Sequence, residues 1–264
     1  MSRQNIGRVA VRCTAQAISC RLPVVSRSVR DALEGGDFFI AYQPVVDLET
    51  FRVFGYEGLA RSHAADFPSP LQIISGAIDE SFMGELGRAL RQLAVNECQD
   101  YPLFLNIHPA EFDEAWLVRP DDPMSTHLHD VYLEITETVP ISHYRFCHSV
   151  LREIRSKGIM LAVDDLGAGY SNLKYIADLA PEIVKIDRQL IAGLTQRTRL
   201  HALVTSIVRL CCELGAKVVA EGIETAEELR AVVDTGTHYG QGFFLARPAY
   251  PAPLVSPEAL RCAP

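Results

Sequence analysis

MLAVDDLGAGY, residues 160–170, is the stretch from which the chain is best read. Residues 159–163 form an apolar run without polar alternation, bounded on the left by Gly158. A run of this kind reads as a strand buried on both faces, as in a parallel sheet. It delivers two adjacent carboxylates, Asp164 and Asp165, directly into Gly167-Ala168-Gly169. Like charges side by side at the end of a buried strand repel each other and are costly to desolvate. A cation between them removes both costs. For an isolated DD-G-x-G the plainer reading is preferred, with Asp165 capping the next helix and Asp164 facing water. The cation reading gains ground because an apolar run ending in an acid or amide recurs along the chain.

The 264 residues are 48% hydrophobic and 22% charged, enough for a large core in one α/β barrel or two small domains. No window approaches the uninterrupted apolar length of a membrane span, and the N-terminus lacks the apolar stretch of a secretory signal. The seven cysteines (Cys13, Cys20, Cys98, Cys147, Cys211, Cys212 and Cys262) are scattered and include no C-x-x-C. They read as reduced thiols of a cytoplasmic protein, neither a disulfide framework nor a zinc site. A net charge of −8 argues against a broad nucleic-acid surface but admits a small anionic ligand where metal ions reverse the local field.

Strand and helix signals alternate on either side of the opening stretch. Residues 1–27 carry five arginines before the first acid, Asp31, and are expected to be a basic, poorly ordered tail. A barrel is expected over residues 28–264. Strands are expected at 38–43, stopped at Pro44 and prolonged over 45–48, then at 52–61, 103–107, 131–135, 159–163, 182–186, 217–220 and 240–245. Helices are expected at 28–33, across most of 71–99, at 142–157, near 171–179, over 200–214, and from a capping box at Thr225 and Glu228 to just before Gly236. Short links and regular alternation are the signature of a parallel α/β fold. Eight strands in this length point to a (β/α)8 TIM-like barrel in a single domain. An open doubly wound sheet is the alternative, but no G-x-G-x-x-G follows any strand.

At or near the strand ends stand Gln43, Glu57 with Arg61, Asn106, Glu134, Asp164 with Asp165, Lys185, Glu221 and Gln241. A barrel gathers its strand ends at one rim, so these scattered groups become one oxygen-rich cluster. Hard oxygen donors without cysteine or paired histidine imply Mg²⁺ or Mn²⁺, and a lone lysine suits phosphate chemistry. Each residue also has a plain structural role: Lys185 neutralising Asp187, or Glu221 pairing with Lys217. The residues alone reach a barrel enzyme using a divalent metal on a phosphorylated or enolisable substrate.

The segments AYQPVVDL, YEGLAR, LFLNI, LEITE, VDDLGAGYSNLKYI, VKID, VVAEGIET and QGFFLARP, in this order, resemble the EAL-domain phosphodiesterases that hydrolyse cyclic di-GMP. The resemblance runs from about residue 31 to residue 248. It implies hydrolysis to linear pGpG, with two metal ions clamping an in-line displacement. It implies Glu57, Asn106, Glu134, Asp164 and Asp165 as metal ligands, Glu221 as general base and Lys185 as its catalytic partner. Gln43, Arg61 and Gln241 fall where the family contacts the dinucleotide, and Glu137, Asp187 and Glu224 are supporting acids. A homodimer through the loop and helix after Asp165, a signalling role and regulation by a protein partner are also implied. Gly58, Ser62, His108, Leu166 and Ala168 depart from the family's usual residues, and none of these changes removes a ligand. Two other readings compete: a catalytically silent cyclic di-GMP receptor, and a barrel recruited for protein contacts through its basic tail.

Overall fold

Sequence neighbours are neighbours in space. In the computed structural model, residues 27–113, 115–136, 144–168 and 173–262 are described. Eight strands close in sequence order into one barrel. They are β1 (Phe38–Asp47), β2 (Val53–Ser62), β3 (Leu103–Asn106), β4 (Val131–Thr136), β5 (Met160–Leu166), β6 (Ile183–Ile186), β7 (Lys217–Ala220) and β8 (Tyr239–Gly240). The single-domain TIM-like barrel is thus as expected.

One strand departs from the parallel pattern. β1 runs antiparallel to both β2 and β8, whereas β2 through β8 are parallel. Parallel neighbours need a long crossover, and the short turn after Asp47 allows only a hairpin. Asp47 Oδ1 builds that turn by accepting from the backbone N–H groups of Glu49 and Thr50. Pro44 does not stop the strand. The Tyr42 N–H points away from β2, to Ala249 O at 2.8 Å. Pro44, two residues on, has its ring nitrogen on that same side, where it owes β2 no hydrogen bond.

Other boundaries moved for local reasons. The helical stretch expected across 71–99 is two helices, α2 (Pro70–Asp79) and α3 (Met83–Glu97), broken where Ser81 takes a φ of 51°. β5 continues beyond Val163 through both aspartates to Leu166, and its register against β6 shifts there. β8 ends at Gly240 instead of Leu245. Its continuation wraps around Ile223, whose N–H donates to Gln241 O and whose carbonyl accepts from Phe244 N. Gly242 makes that wrap feasible: its φ is 155°, and a Cβ there would overlap Ile223 N and O. The capping box at Thr225 and Glu228 opens the helix Ala226–Asp234 as expected.

The strands' outward side chains build the core against the helices. Leu103, Leu105, Leu133, Leu161 and Val163 pack with Ala94, Val95, Leu151 and Ile154 on one flank. On the other, Val184, Ile186, Val218 and Ala220 pack with Val204, Val208, Cys211 and Leu229. Both faces of these strands are buried, hence their continuous apolar runs. Cys98, Cys211, Cys212 and Cys262 are free thiols. Cys13, Cys20 and the side chain of Cys147 lie outside the described residues, as do residues 1–26 of the basic tail.

Candidate active site

Seven strands contribute an apolar side chain to the barrel floor: Val45, Phe104, Tyr132, Ala162, Ile183, Val219 and Tyr239. Two residues nearer the rim on each, the side chain turns polar: Gln43, Asn106, Glu134, Asp164, Lys185, Glu221 and Gln241. Strand side chains repeat every second residue, so both layers face inward. Glu57 joins from β2, in register with Gln43 on one side and Phe104 on the other. Gln43 and Glu57 sit mid-strand rather than at strand ends, since the β1–β2 hairpin pairs with β8 and β3 over only part of its length and runs on past them.

Lys185 is the centre of the polar layer and is 1% exposed. Its Nζ lies 2.6 Å from Glu134 Oε1, 2.7 Å from Glu221 Oε1, 3.3 Å from Glu57 Oε2 and 3.5 Å from Asp164 Oδ1. Glu57 is fixed further by Gln241 Nε2 at 2.6 Å and Asn106 Nδ2 at 3.1 Å. Gln241 Nε2 also donates to Gln43 Oε1, and Gln43 donates to Ala246 O. Lys185 therefore does not neutralise Asp187, whose carboxylate instead accepts from Gln189 N and caps the helix Arg188–Ile191.

One ammonium faces four carboxylates, and the imbalance sets their acidity. Burial, helped by Asp164 and Glu57, pushes Glu221 up to about 8 against the pull of Lys185. Burial and the Glu57 charge hold Glu134 well above the ordinary carboxylate value. Glu57 goes down: burial opposes it, but Lys185 and the hydrogen bonds from Gln241 and Asn106 outweigh that. Lys185 resists burial through the summed charge of Asp164, Glu134, Glu221 and Glu57 and is held well above its ordinary value.

This is a charge deficit that a cation would fill. Asp164, Asp165 and Glu221 offer oxygens that all lie within 4.8 Å of one another. Glu134 Oε2 is buried without a hydrogen-bond partner. An all-oxygen set with an orphaned carboxylate oxygen fits a hard divalent cation. Asp165 reaches the cluster because the strand shift and its φ of 61° turn it back beside Asp164, whose Oδ1 accepts from Asp165 N at 2.9 Å. The following helix is described as α5 (Leu173–Leu179), and residues 169–172 between it and the cluster lie outside the described residues.

The remaining expected residues lie further out. Arg61 donates to Ala60 O and lines a cavity of about 510 Å³ with Glu57, Asn106, His108 and Thr136 at its polar end. On the other side of Glu57, a cleft of about 320 Å³ is lined by Gln43, Arg188, Glu221, Gln241 and Phe243. Glu224 is an exposed partner of Arg188, at 2.8 Å, and stays out of the cluster. Glu137 lies outside the described residues. Arg188 was missed in the sequence. The signal was its place directly after Lys185-Ile186-Asp187, which carries it over Gly222 at the mouth of the cleft.

A TIM-like barrel whose rim gathers carboxylates around one buried lysine is the class that fold and site define. The sequence model of the EAL domain matches residues 26–248, and the chain belongs to the EAL domain family. It is 33% identical over 230 residues to cyclic di-GMP phosphodiesterase PA2567 of Pseudomonas aeruginosa, covering 82% of this chain and 39% of that protein. It is 32% identical to cyclic di-GMP phosphodiesterase RocR of the same organism, covering 86% of this chain and 61% of RocR. The chain thus spans less than two thirds of each of these relatives' lengths. Among solved structures, Klebsiella pneumoniae BlrP1 in a manganese and cyclic di-GMP complex superposes with a TM-score of 0.72 at 29% identity, over 83% of this chain and 57% of that one. The PaMucR phosphodiesterase in complex with cyclic di-GMP gives 0.74 at 26% identity, over 84% of this chain and 95% of that one.

Proposed function

We propose that this barrel is a metal-dependent phosphodiesterase that hydrolyses cyclic di-GMP to linear pGpG. The observation that carries the reading is Lys185 ringed by Glu57, Glu134, Asp164 and Glu221, a buried cluster with more negative charge than its one lysine offsets. Relatives named as cyclic di-GMP phosphodiesterases support the substrate. A neighbour solved with manganese and cyclic di-GMP supports Mn²⁺ or Mg²⁺, with two ions expected.

Glu57, Asn106, Glu134, Asp164 and Asp165 would hold the cations. Bound there, a divalent cation supplies Lewis acidity to a water and to the attacked phosphate. Glu221 takes the proton from the attacking water, and Lys185 holds Glu221 in place and balances the charge developing on the phosphate. Water attacks phosphorus, one bond from phosphorus to a ribose 3′ oxygen breaks, and that oxygen takes up a proton from solvent and leaves as a hydroxyl, while Glu221 returns its proton to solvent. Gln43 and Gln241 on one side of Glu57, and Arg61 on the other, hold the two halves of the dinucleotide.

The reading extends to a cytoplasmic homodimer joined through the segment after Asp165. Exposed Leu173 at the start of α5 supports the contact, and the free thiols support a reducing compartment. The test is incubation of the purified chain with cyclic di-GMP and Mg²⁺ or Mn²⁺, followed by chromatography. Appearance of pGpG is expected. Tight binding without product would instead make the barrel a receptor.

A further inference from the structure

We propose that Arg91 and Glu111, buried behind the cluster, are positioning residues for Asn106 and His108. The inference rests on the reading of Asn106 as a cation ligand. Arg91 on α3 and Glu111 in the turn after β3 are each 2% exposed or less, and their ion pair is 2.5 Å long. The second guanidinium nitrogen of Arg91 reaches Asp122 Oδ2 at 3.2 Å. Asp122 Oδ1 in turn caps the short turn at Met124. One arginine thereby ties two turns of the segment between β3 and β4 to α3.

The free end of this network points at the site. Glu111 Oε1 accepts from His108 N at 2.9 Å. On the opposite side, Ile107 N donates to Glu134 O at 3.2 Å. Residues 106–108 are therefore held between the network and β4, and this is the stretch that presents Asn106 to Glu57. The same turn fixes the His108 ring: Ala110 N donates to its Nδ1 at 3.2 Å, which leaves Nε2 as the nitrogen bearing hydrogen. His108 lines the cavity beside Asn106 and Arg61.

A role in stability alone accounts poorly for the arrangement. Two buried acids against one arginine cost more desolvation than an apolar filling of the same volume, and buried ion pairs are weak stabilisers. The backbone also makes room for the carboxylate. Gly87 on α3 has no side chain where a Cβ would overlap Glu111 Oε2, although glycine weakens a helix interior. What the network delivers is a fixed backbone at His108, two residues from Asn106.

The test compares the full-length parent with Gly87→Ala and Glu111→Met. Mn²⁺ affinity is read by calorimetry, cyclic di-GMP affinity by equilibrium binding, and folding by melting curves. Outer-shell partners of metal ligands typically change metal affinity by about 10- to 100-fold, so a loss of about tenfold or more is expected in folded samples of both variants. Glu111→Gln, which still accepts from His108 N, should recover part of the loss. Parental Mn²⁺ and ligand affinity in all folded variants, whatever their melting temperatures, would overturn the proposal. Should Glu111→Met fail to fold, Gly87→Ala carries the test, because it alters no charge. A parent that binds Mn²⁺ but yields no pGpG would remove the catalytic reading and leave this comparison intact.

Discussion

Lys185 Nζ lies 2.7 Å from Glu221 Oε1 across the rim where β6 and β7 run side by side. This contact gives Glu221 a fixed orientation, and the crowd of acids around it gives the carboxylate a raised affinity for protons. Glu221→Gln keeps the shape and removes the proposed base. Turnover should fall by roughly 10²–10⁴, the usual worth of general-base catalysis. Binding of cyclic di-GMP should survive, because the proposed dinucleotide contacts Gln43, Arg61 and Gln241 are untouched. Steady-state hydrolysis and equilibrium binding on one folded preparation decide this, and near-normal turnover would remove Glu221 from the mechanism.

Cation binding should release protons. Glu221 stands at about 8 in the metal-free cluster, so at pH 7 it is mostly protonated. A divalent charge among these oxygens favours the carboxylate and expels that proton. Apparent Mn²⁺ affinity should rise with pH toward about 8, and Glu134, also held above the ordinary carboxylate value, should add to the proton release. Calorimetry in two buffers of different ionisation enthalpy counts the protons; a count of zero at pH 7 contradicts the raised pKa of Glu221.

The same shift has a sign for stability. Between the ordinary carboxylate value of 4.5 and about 8, the folded metal-free protein binds a proton that the unfolded chain has lost. Stability then falls as pH rises through this window, because the unfolded state binds fewer protons. Lys185 stays charged throughout it and does not reverse the trend. Glu221→Gln should flatten the profile and melt a few degrees higher than the parent at pH 8.5, with little difference at pH 4.5. Thermal melts at both pH values in a chelator are the measurement.

Gly242, beside Gln241 where β8 ends, and Gly236, between the helix Ala226–Asp234 and β8, form a matched pair. Both have positive φ, 155° and 80°, but a Cβ at Gly236 meets nothing within 4 Å while one at Gly242 overlaps the Ile223 backbone. Gly236→Ala should cost about 1–2 kcal/mol, the left-handed penalty alone. Gly242→Ala adds overpacking of about 1–3 kcal/mol and should also displace Gln241 from Glu57. Denaturant melts of the two variants give the difference; equal costs would show that the Ile223 wrap yields freely.

Residues 1–27 are expected to be dispensable for chemistry. Ser28 supplies its own cap to the first helix, α1 (Val29–Glu34), and none of the clustered side chains precedes it. A variant beginning at Ser28 should melt and turn over within about twofold of the parent. Lost activity with an unchanged melt would bring the basic segment into the site.

The barrel and most of its polar layer were legible because both follow from a period of two. Each apolar floor residue announces a strand, and the polar residue two further on, such as Asn106 after Phe104 or Lys185 after Ile183, announces the layer above. What escaped depends on contacts without a local signature. Strand direction was invisible at β1, since an antiparallel strand buried on both faces has the same composition as a parallel one. The length of β8 depended on Gly242 meeting Ile223 from another loop. The network of Arg91, Glu111 and Asp122 joins residues up to 31 positions apart, and nothing near any of them foretold it.

The reversed first strand has a consequence for wiring. In an all-parallel barrel the polypeptide arrives at the floor, a full strand length from the chemistry. Here Phe38 pairs with Ser62, at the mouth end of β2, and Asp47 pairs with Tyr239 at the floor. The chain therefore arrives at the mouth, and α1, whose Val29 N donates to Glu80 Oε1 at the close of α2, is a six-residue doorstep beside the Arg61 cavity. A module fused ahead of Ser28 would pull on α1 and, through the packing of Val29 and Ala32 on α2, on the Ile73 that lines that cavity, with no relay through the barrel.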